Sequence, residues 1–201
     1  MKISSLNRIL LFATVFLAAY QIAIGIDQMD NIPIIAYTIA FGVILVACLL
    51  LVILGFEVLD APIVVIISTI IPLALSLGLV WQYLASLRTS YLVFAIVGFL
   101  AVTVTRSITM QNKLPVFVIA IVHGISGMTI FLLPIIIAAK GEVRPGFAMV
   151  GIGGALIGVG GLLLSFLKTG KPILSKDRIM KLFPALLFLT TALFVAGFMY
   201  G

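Results

Sequence analysis

Residues 34–56 read IIAYTIAFGVILVACLLLVILGF, an apolar run without one charged side chain. A helix needs roughly 20 apolar residues to cross a bilayer core of about 30 Å, so this run predicts a transmembrane helix. Comparable stretches fill the chain on either side of it. The predicted spans are 9–26, 34–56, 63–84, 89–105, 115–139, 146–167 and about 178–200.

The composition is that of a chain embedded in a membrane. Of the 201 residues, 64% are hydrophobic and 9% are charged, whereas a soluble domain carries about 25% charged residues. Backbone polar groups in lipid must pair within their own segment, which enforces helix. The sequence therefore predicts an all-α fold, a polytopic integral membrane bundle of about seven transmembrane helices. Residues 1–201 are expected to form a single transmembrane domain.

The basic residues predict the orientation of the bundle, because cytoplasmic loops are enriched in Lys and Arg. With seven spans, nine of these residues fall on the face that holds the N-terminus, and three (Arg88, Lys140 and Arg144) fall on the other. This bias predicts a multi-pass protein of the cell membrane with a cytoplasmic N-terminus and an outer C-terminus. Aromatic residues that favour the headgroup level lie at the predicted outer ends, namely Tyr20, Tyr37, Trp81, Tyr83, Tyr91 and Tyr200.

A shift of 112 residues brings several features of the two halves into register. Pro33 meets Pro145, Gly42 meets Gly154, and Pro72 meets Pro184. Spans 1–3 would then recur as spans 5–7 in the same orientation, with span 4 as a linker, a parallel repeat of the kind some transporters use. This layout resembles the three-one-three arrangement of SWEET sugar transporters, although the chain lacks their Pro-Gln signature and its charge bias places the N-terminus on the opposite side. Duplication and coincidental proline placement both remain open.

Span 6 carries a line of glycines. Gly151, Gly154, Gly158 and Gly161 recur at spacings of three and four, which places them on one face of a helix. Small residues on such a face let helix backbones approach closely. We interpret the line as a helix-packing face, with contact to a flat cofactor or a lipid as the alternative.

The only histidine, His123, opens the segment His123-Gly124-Ile125-Ser126-Gly127 in span 5. A buried neutral imidazole needs partners for both nitrogens. Three roles stay open: a packing histidine, a polar contact in a substrate path, and the single axial ligand of a tetrapyrrole, for which Gly124 and Gly127 leave room. The sequence requires no cofactor.

Gly124-x-Ser126-Gly127 also matches a string of rhomboid proteases, but no second histidine exists to act as the base, so we reject that function.

Polar side chains within the spans are sparse. Gln21, Thr38, Ser76 and Ser126 could line a weakly polar substrate path, or they could form hydrogen bonds between helices. Neither role is distinguished by the sequence.

The segment before span 7 is basic. It contains Lys168, Lys171, Lys176, Arg178 and Lys181 against one acid, Asp177. Near an anionic leaflet each such charge contributes on the order of 1 kcal/mol, so contact with membrane lipids is expected. Docking of an acidic partner is the alternative, and nothing in the sequence supports nucleic-acid binding.

These features favour a non-catalytic membrane subunit that scaffolds a larger complex with other membrane subunits and holds lipid, quinone or pigment between its helices. The alternative is a passive facilitator of a small neutral solute. We do not expect an enzyme, because no span contains a carboxylate pair or a nucleophile with a base, and the lone Cys48 cannot build a cysteine-rich metal site.

Overall fold

The computed structural model describes residues 3–26, 29–110, 112–168, 170 and 172–201. Among these residues, seven helices are long and apolar enough to cross a membrane. They are α1 (Ser5–Ile24), α2 (Asn31–Leu54), α3 (Pro62–Tyr83), α4 (Arg88–Ser107), α5 (Leu114–Ala139), α6 (Ala148–Lys168) and α7 (Lys176–Tyr200). The predicted all-α bundle of seven transmembrane helices is confirmed, and the chain is a multi-pass membrane protein.

Local sequence accounts for several helix ends. Ser4 caps α1, where its side-chain oxygen accepts a hydrogen bond from the backbone N–H of Asn7 at 3.2 Å. Pro62 begins α3, a position where the missing N–H costs no helical bond. Gly25 and Gly55 follow α1 and α2 with φ of 69° and 81°, a left-handed conformation that glycine adopts readily. Short 3-10 helices lead into α3, α4 and α6, at Phe56–Asp60, Ala85–Leu87 and Pro145–Phe147.

Six of the seven described helices form a closed ring. Around the ring α1 packs on α2, α2 on α3, α3 on α5, α5 on α6, α6 on α7 and α7 on α1, while α4 lies outside against α3 and α5. Exchanging α1, α2 and α3 with α5, α6 and α7 leaves the six ring contacts unchanged, but it would move the contacts of α4 from α3 and α5 to α7 and α1. Any ring of six helices in chain order keeps its ring contacts in this way, so the three-one-three repeat stays a prediction.

Consecutive helices run in opposite directions and define two faces of the bundle. The amino face holds the first residues of α1, α3, α5 and α7, and the carboxyl face holds their last residues. At the carboxyl face the Arg88 guanidinium lies 3.1 Å from the Asp30 carboxylate, which joins the starts of α4 and α2. Gly146 lies against the backbone of Tyr200, which brings the start of α6 to the end of α7.

Aromatic side chains fill the ring near the carboxyl face. The ring centroid of Phe198 lies 4.7 Å from that of Tyr37, 6.2 Å from Phe41 and 5.9 Å from Phe147. The expectation that Tyr37 lies in the headgroup belt does not hold, because this side chain is only 1% exposed. Gly78 makes room for it: a Cβ placed there would lie 2.5 Å from Tyr37 Cε1.

Candidate binding cleft between helices 5 and 6

Near the carboxyl face, α5 and α6 are in direct contact. A Cβ placed on Gly151 would lie 2.5 Å from the carbonyl oxygen of Phe131, and one on Gly154 would lie 2.7 Å from Ile130 Cγ2. Both glycines are buried. The two helices approach this closely because neither glycine has a side chain.

Toward the amino face the same glycine line no longer contacts α5. Gly158 and Gly161 follow Gly154 by four and seven residues and stay on its side of α6. Both are exposed, and a Cβ placed on either would meet no atom within 4 Å. The structure thus places only two of the four predicted packing glycines against a neighbouring helix.

The facing wall on α5 is built in the same way. Gly127 and Gly124 precede Phe131 by four and seven residues, and a Cβ on either would also meet nothing within 4 Å. The space beside these four glycines is therefore open. We call it the α5–α6 cleft, with Gly124 and Gly127 on one wall and Gly158 and Gly161 on the other. The sequence predicts different roles for the two pairs: Gly124 and Gly127 leave room for a cofactor, and Gly158 and Gly161 belong to a helix-packing face.

His123 stands on α5 beside Gly124 and is half-buried. Its Nδ1–H donates to the backbone oxygen of Ile119 at 3.2 Å. A carbonyl only accepts, so Nε2 of the neutral ring is left as an acceptor. Arg106, near the end of α4, lies close enough to interact electrostatically with the imidazole. The Arg106 Nε is buried without a hydrogen-bond partner among the described residues.

These residues restrict which cofactor the cleft could hold. A ring N–H bonded to a backbone carbonyl is a common way to orient a metal-ligating histidine. Within the described part of the chain, no three His, Cys, Asp or Glu side chains come together as a metal-binding group. The role of His123 as the single axial ligand of a tetrapyrrole stays a prediction, as do its packing and substrate-path roles.

The four residues predicted for a substrate path lie in three environments. Gln21 and Thr38 line one cavity of about 10 Å³ between α1 and α2, and Thr38 is also exposed. Ser76 is fully buried and donates to the backbone oxygen of Pro72 at 2.6 Å, within its own helix. Ser126 is fully buried, and its hydroxyl has no partner among the described residues.

A larger cavity of about 280 Å³ lies where the ends of α3 and α5 meet the start of α4. It is a surface groove lined chiefly by apolar side chains, including Leu84, Met128 and Leu132. At its edge the Tyr91 hydroxyl donates to Thr129 Oγ1 at 3.2 Å. None of the four residues predicted for a substrate path is among its lining residues.

The basic segment before α7 lies at the amino face. Lys176, Arg178 and Lys181 are exposed on the first turns of α7. Lys171 falls outside the described residues, and of Lys168 the structure describes the backbone at the end of α6 but not the side chain.

Comparison with protein-family models, with curated proteins and with solved structures finds no match to this chain.

Proposed function

We propose that the chain is a non-catalytic integral membrane subunit whose α5–α6 cleft receives a transmembrane helix of a partner subunit. The observation that carries the proposal is the continuity of one glycine line. Its first half, at Gly151 and Gly154, packs against the backbone of α5, while its second half, at Gly158 and Gly161, meets nothing within 4 Å. A surface that already accepts one helix backbone is suited to accept a second, which favours a helix over a flat cofactor or lipid as the occupant.

The corresponding helices of the first half support a specific role for the cleft. Counting back 112 residues from Gly124, Gly127, Gly158 and Gly161 gives Phe12, Val15, Val46 and Leu49. Large side chains therefore stand on α1 and α2 where α5 and α6 carry glycine. The three-one-three layout does not by itself require an open cleft, so the glycines of the second half call for a separate explanation.

The distribution of charge supports the orientation of this subunit. The amino face carries Arg8, Arg106, Lys113, Lys176, Arg178 and Lys181, whereas Arg88, Lys140 and Arg144 lie at the carboxyl face. Because cytoplasmic loops are rich in Lys and Arg, we infer a cytoplasmic amino face in the cell membrane. The basic start of α7 would then contact anionic lipids of the inner leaflet, at the level where the cleft opens.

The test is purification of the tagged chain from its native membrane in a gentle detergent, with quantitative mass spectrometry and an absorption spectrum. The cleft variant Gly158→Val with Gly161→Leu introduces the residues that stand at Val46 and Leu49. We expect a stoichiometric membrane protein to accompany the wild-type chain and to be lost from this variant. The matched control is Gly42→Val, since that glycine also meets nothing within 4 Å, and it should retain the partner.

Three results would overturn the proposal. They are a wild-type chain that purifies alone, a partner that both variants retain, and a partner that both variants lose. A visible-region chromophore that disappears in His123→Ala would show instead that the cleft holds a pigment. A photo-crosslinking residue at Ser165, which is exposed one turn beyond Gly161, should reach the partner in intact membranes.

The closed ring favours a second candidate, a passive facilitator of a small neutral solute, because parallel repeats are a plan used by transporters. In support, Gln21 and Thr38 line a common cavity. Against it, Ser76 bonds within its own helix and is not part of that cavity. Solute uptake into liposomes that contain the purified chain tests this candidate, which predicts uptake by the chain without any partner.

A further inference from the structure

The groove of about 280 Å³ at the meeting point of α3, α4 and α5 has a buried floor and an exposed rim. Val80 and Leu133 are buried and form the floor. Leu132 and Ile136 are exposed along α5, and Leu87, just before α4, is exposed as well. The groove is therefore open at the surface of the bundle, and its depth is lined by hydrocarbon.

The two hydroxyl groups at the groove are already bonded to protein atoms. The Tyr91 hydroxyl donates to Thr129 Oγ1 at 3.2 Å, and the Thr129 hydroxyl donates in turn to the backbone oxygen of Ile125 at 2.9 Å. A hydroxyl has one proton to donate, so neither of these two offers a free donor to an occupant. An occupant must therefore be held by apolar contact along the groove itself.

The dimensions of the groove fit a hydrocarbon chain. From Met128 to Ile136 it follows α5 for roughly 12 Å, at 1.5 Å per residue. This length is most of the depth of one leaflet, which is half of the bilayer core, or roughly 15 Å. The volume of about 280 Å³ over this length gives a mean cross-section of roughly 23 Å², whereas a helix about 10 Å in diameter needs roughly 80 Å². The groove therefore admits an acyl chain but not a helix.

A cation stands beyond the carboxyl-face end of the groove. Lys140 follows Ile136 by four residues on the same side of α5, and its backbone N–H donates to the Ile136 oxygen at 3.0 Å. Its side chain is 64% exposed, and its ammonium lies 3.8 Å from the Glu142 carboxylate. That distance is too long for a hydrogen bond, so the ammonium can still donate to a phosphate.

We propose that this groove binds one phospholipid of the leaflet at the carboxyl face, with an acyl chain in the groove and the phosphate at Lys140. The apolar lining and the narrow cross-section select the chain, and the cation at the headgroup level selects the phosphate. This lipid site does not depend on the proposed subunit role.

Native mass spectrometry of the detergent-solubilised full chain, titrated with dioleoyl phosphatidylglycerol, tests the site. Leu132→Trp fills the groove and should weaken binding of the first lipid about tenfold, in line with the cost of overpacking a filled site. Ile121→Trp is the matched control, because Ile121 is 41% exposed against 39% for Leu132 on the same helix and does not line the groove. It should bind lipid as the wild-type chain does. Equal binding by Leu132→Trp and wild type, or no bound lipid, overturns the proposal.

The phosphate contact has its own test. Lys140→Gln should weaken binding of dioleoyl phosphatidylglycerol about fivefold, which corresponds to about 1 kcal/mol for one charge at the membrane surface, and Lys140→Arg should retain it. Dioleoylglycerol has the same acyl chains without the phosphate, so its binding should be weaker and should not respond to Lys140→Gln. If dioleoylglycerol binds as tightly as the phospholipid, the proposed contact at Lys140 is wrong.

Trp81 allows a measurement that needs no substitution. It is the only tryptophan of the chain and follows Val80 of the groove floor. A phospholipid with brominated acyl chains should quench its fluorescence, with a plateau at one lipid per chain. A plateau that needs many lipids, or a quinone or sterol found at the site in place of a phospholipid, contradicts the proposal. Because the chain is measured without a partner, such a failure leaves the subunit proposal untouched.

Discussion

Replacing Gly151 with alanine should destabilise the bundle, while the same change at Gly158 should not. At Gly151 the new Cβ would lie 2.5 Å from the Phe131 oxygen, and ordinary contact begins at 3.4 Å, so α5 and α6 must separate by the difference, roughly 0.9 Å. Overpacking of this kind costs about 1–3 kcal/mol, and alanine recovers about 1 kcal/mol of helix propensity. A Cβ placed on Gly158 would meet nothing within 4 Å, so only the gain in helix propensity remains there. The two variants should therefore differ by about 1–3 kcal/mol in free energy of unfolding.

The lone cysteine provides the assay. Cys48 is 1% exposed, so a thiol-reactive fluorescent dye should label it only when the bundle opens on heating. One kcal/mol shifts the melting temperature of a chain of this size by about 2–4 °C. Gly158→Ala should therefore melt about 2–12 °C above Gly151→Ala in the same detergent. Equal melting temperatures, or a lower one for Gly158→Ala, would refute the conclusion that α5 and α6 touch at one end and separate at the other.

Two further predictions follow from the packing and the charges. Gly78→Ala should destabilise the chain by about 1–3 kcal/mol in the same thermal assay, because its Cβ would lie 2.5 Å from the Tyr37 ring, whereas Gly42→Ala, whose Cβ would meet nothing within 4 Å, should not destabilise it. In a Cys48→Ala background, Glu142→Cys should react with a membrane-impermeant thiol reagent in intact cells, whereas Ser175→Cys should react only after lysis. The reverse pattern would show that the amino face is outside.

The helices themselves could be predicted almost completely from the sequence, because the bilayer restricts the answer to apolar helical spans. The shortest predicted span, 89–105, is a regular helix over Arg88–Ser107. The observed helices differ from the predicted spans at their ends, where polar residues extend the helices into the interface. Ser5, for example, begins α1 four residues before the predicted apolar run because Ser4 provides the cap.

The cleft could not be predicted, because helical spacing reveals which residues share a face but not what that face meets. Gly151 and Gly158 belong to one line in the sequence, yet one lies against α5 and the other is exposed. A signal did exist in the matched spacing: glycines four and seven residues before Phe131 on α5, and four and seven after Gly154 on α6. This spacing becomes informative only once α5 and α6 are known to touch at Phe131 and Gly154. The burial of Tyr37 was missed for a similar reason, since its space is created by Gly78 on another helix.

The direction in which the cleft opens bears on the choice between a subunit and a facilitator. A path through the ring needs polar groups that face a shared lumen, but Thr14, Thr69 and Ser76 each donate to a backbone oxygen of their own helix. Aromatic side chains fill the interior of the helix ring near the carboxyl face. Three glycines of the α5–α6 cleft (Gly124, Gly158 and Gly161) are instead exposed on the surface of the bundle. A transmembrane helix reaches such a surface laterally, whereas a solute in water does not, which supports the proposed subunit role over the facilitator.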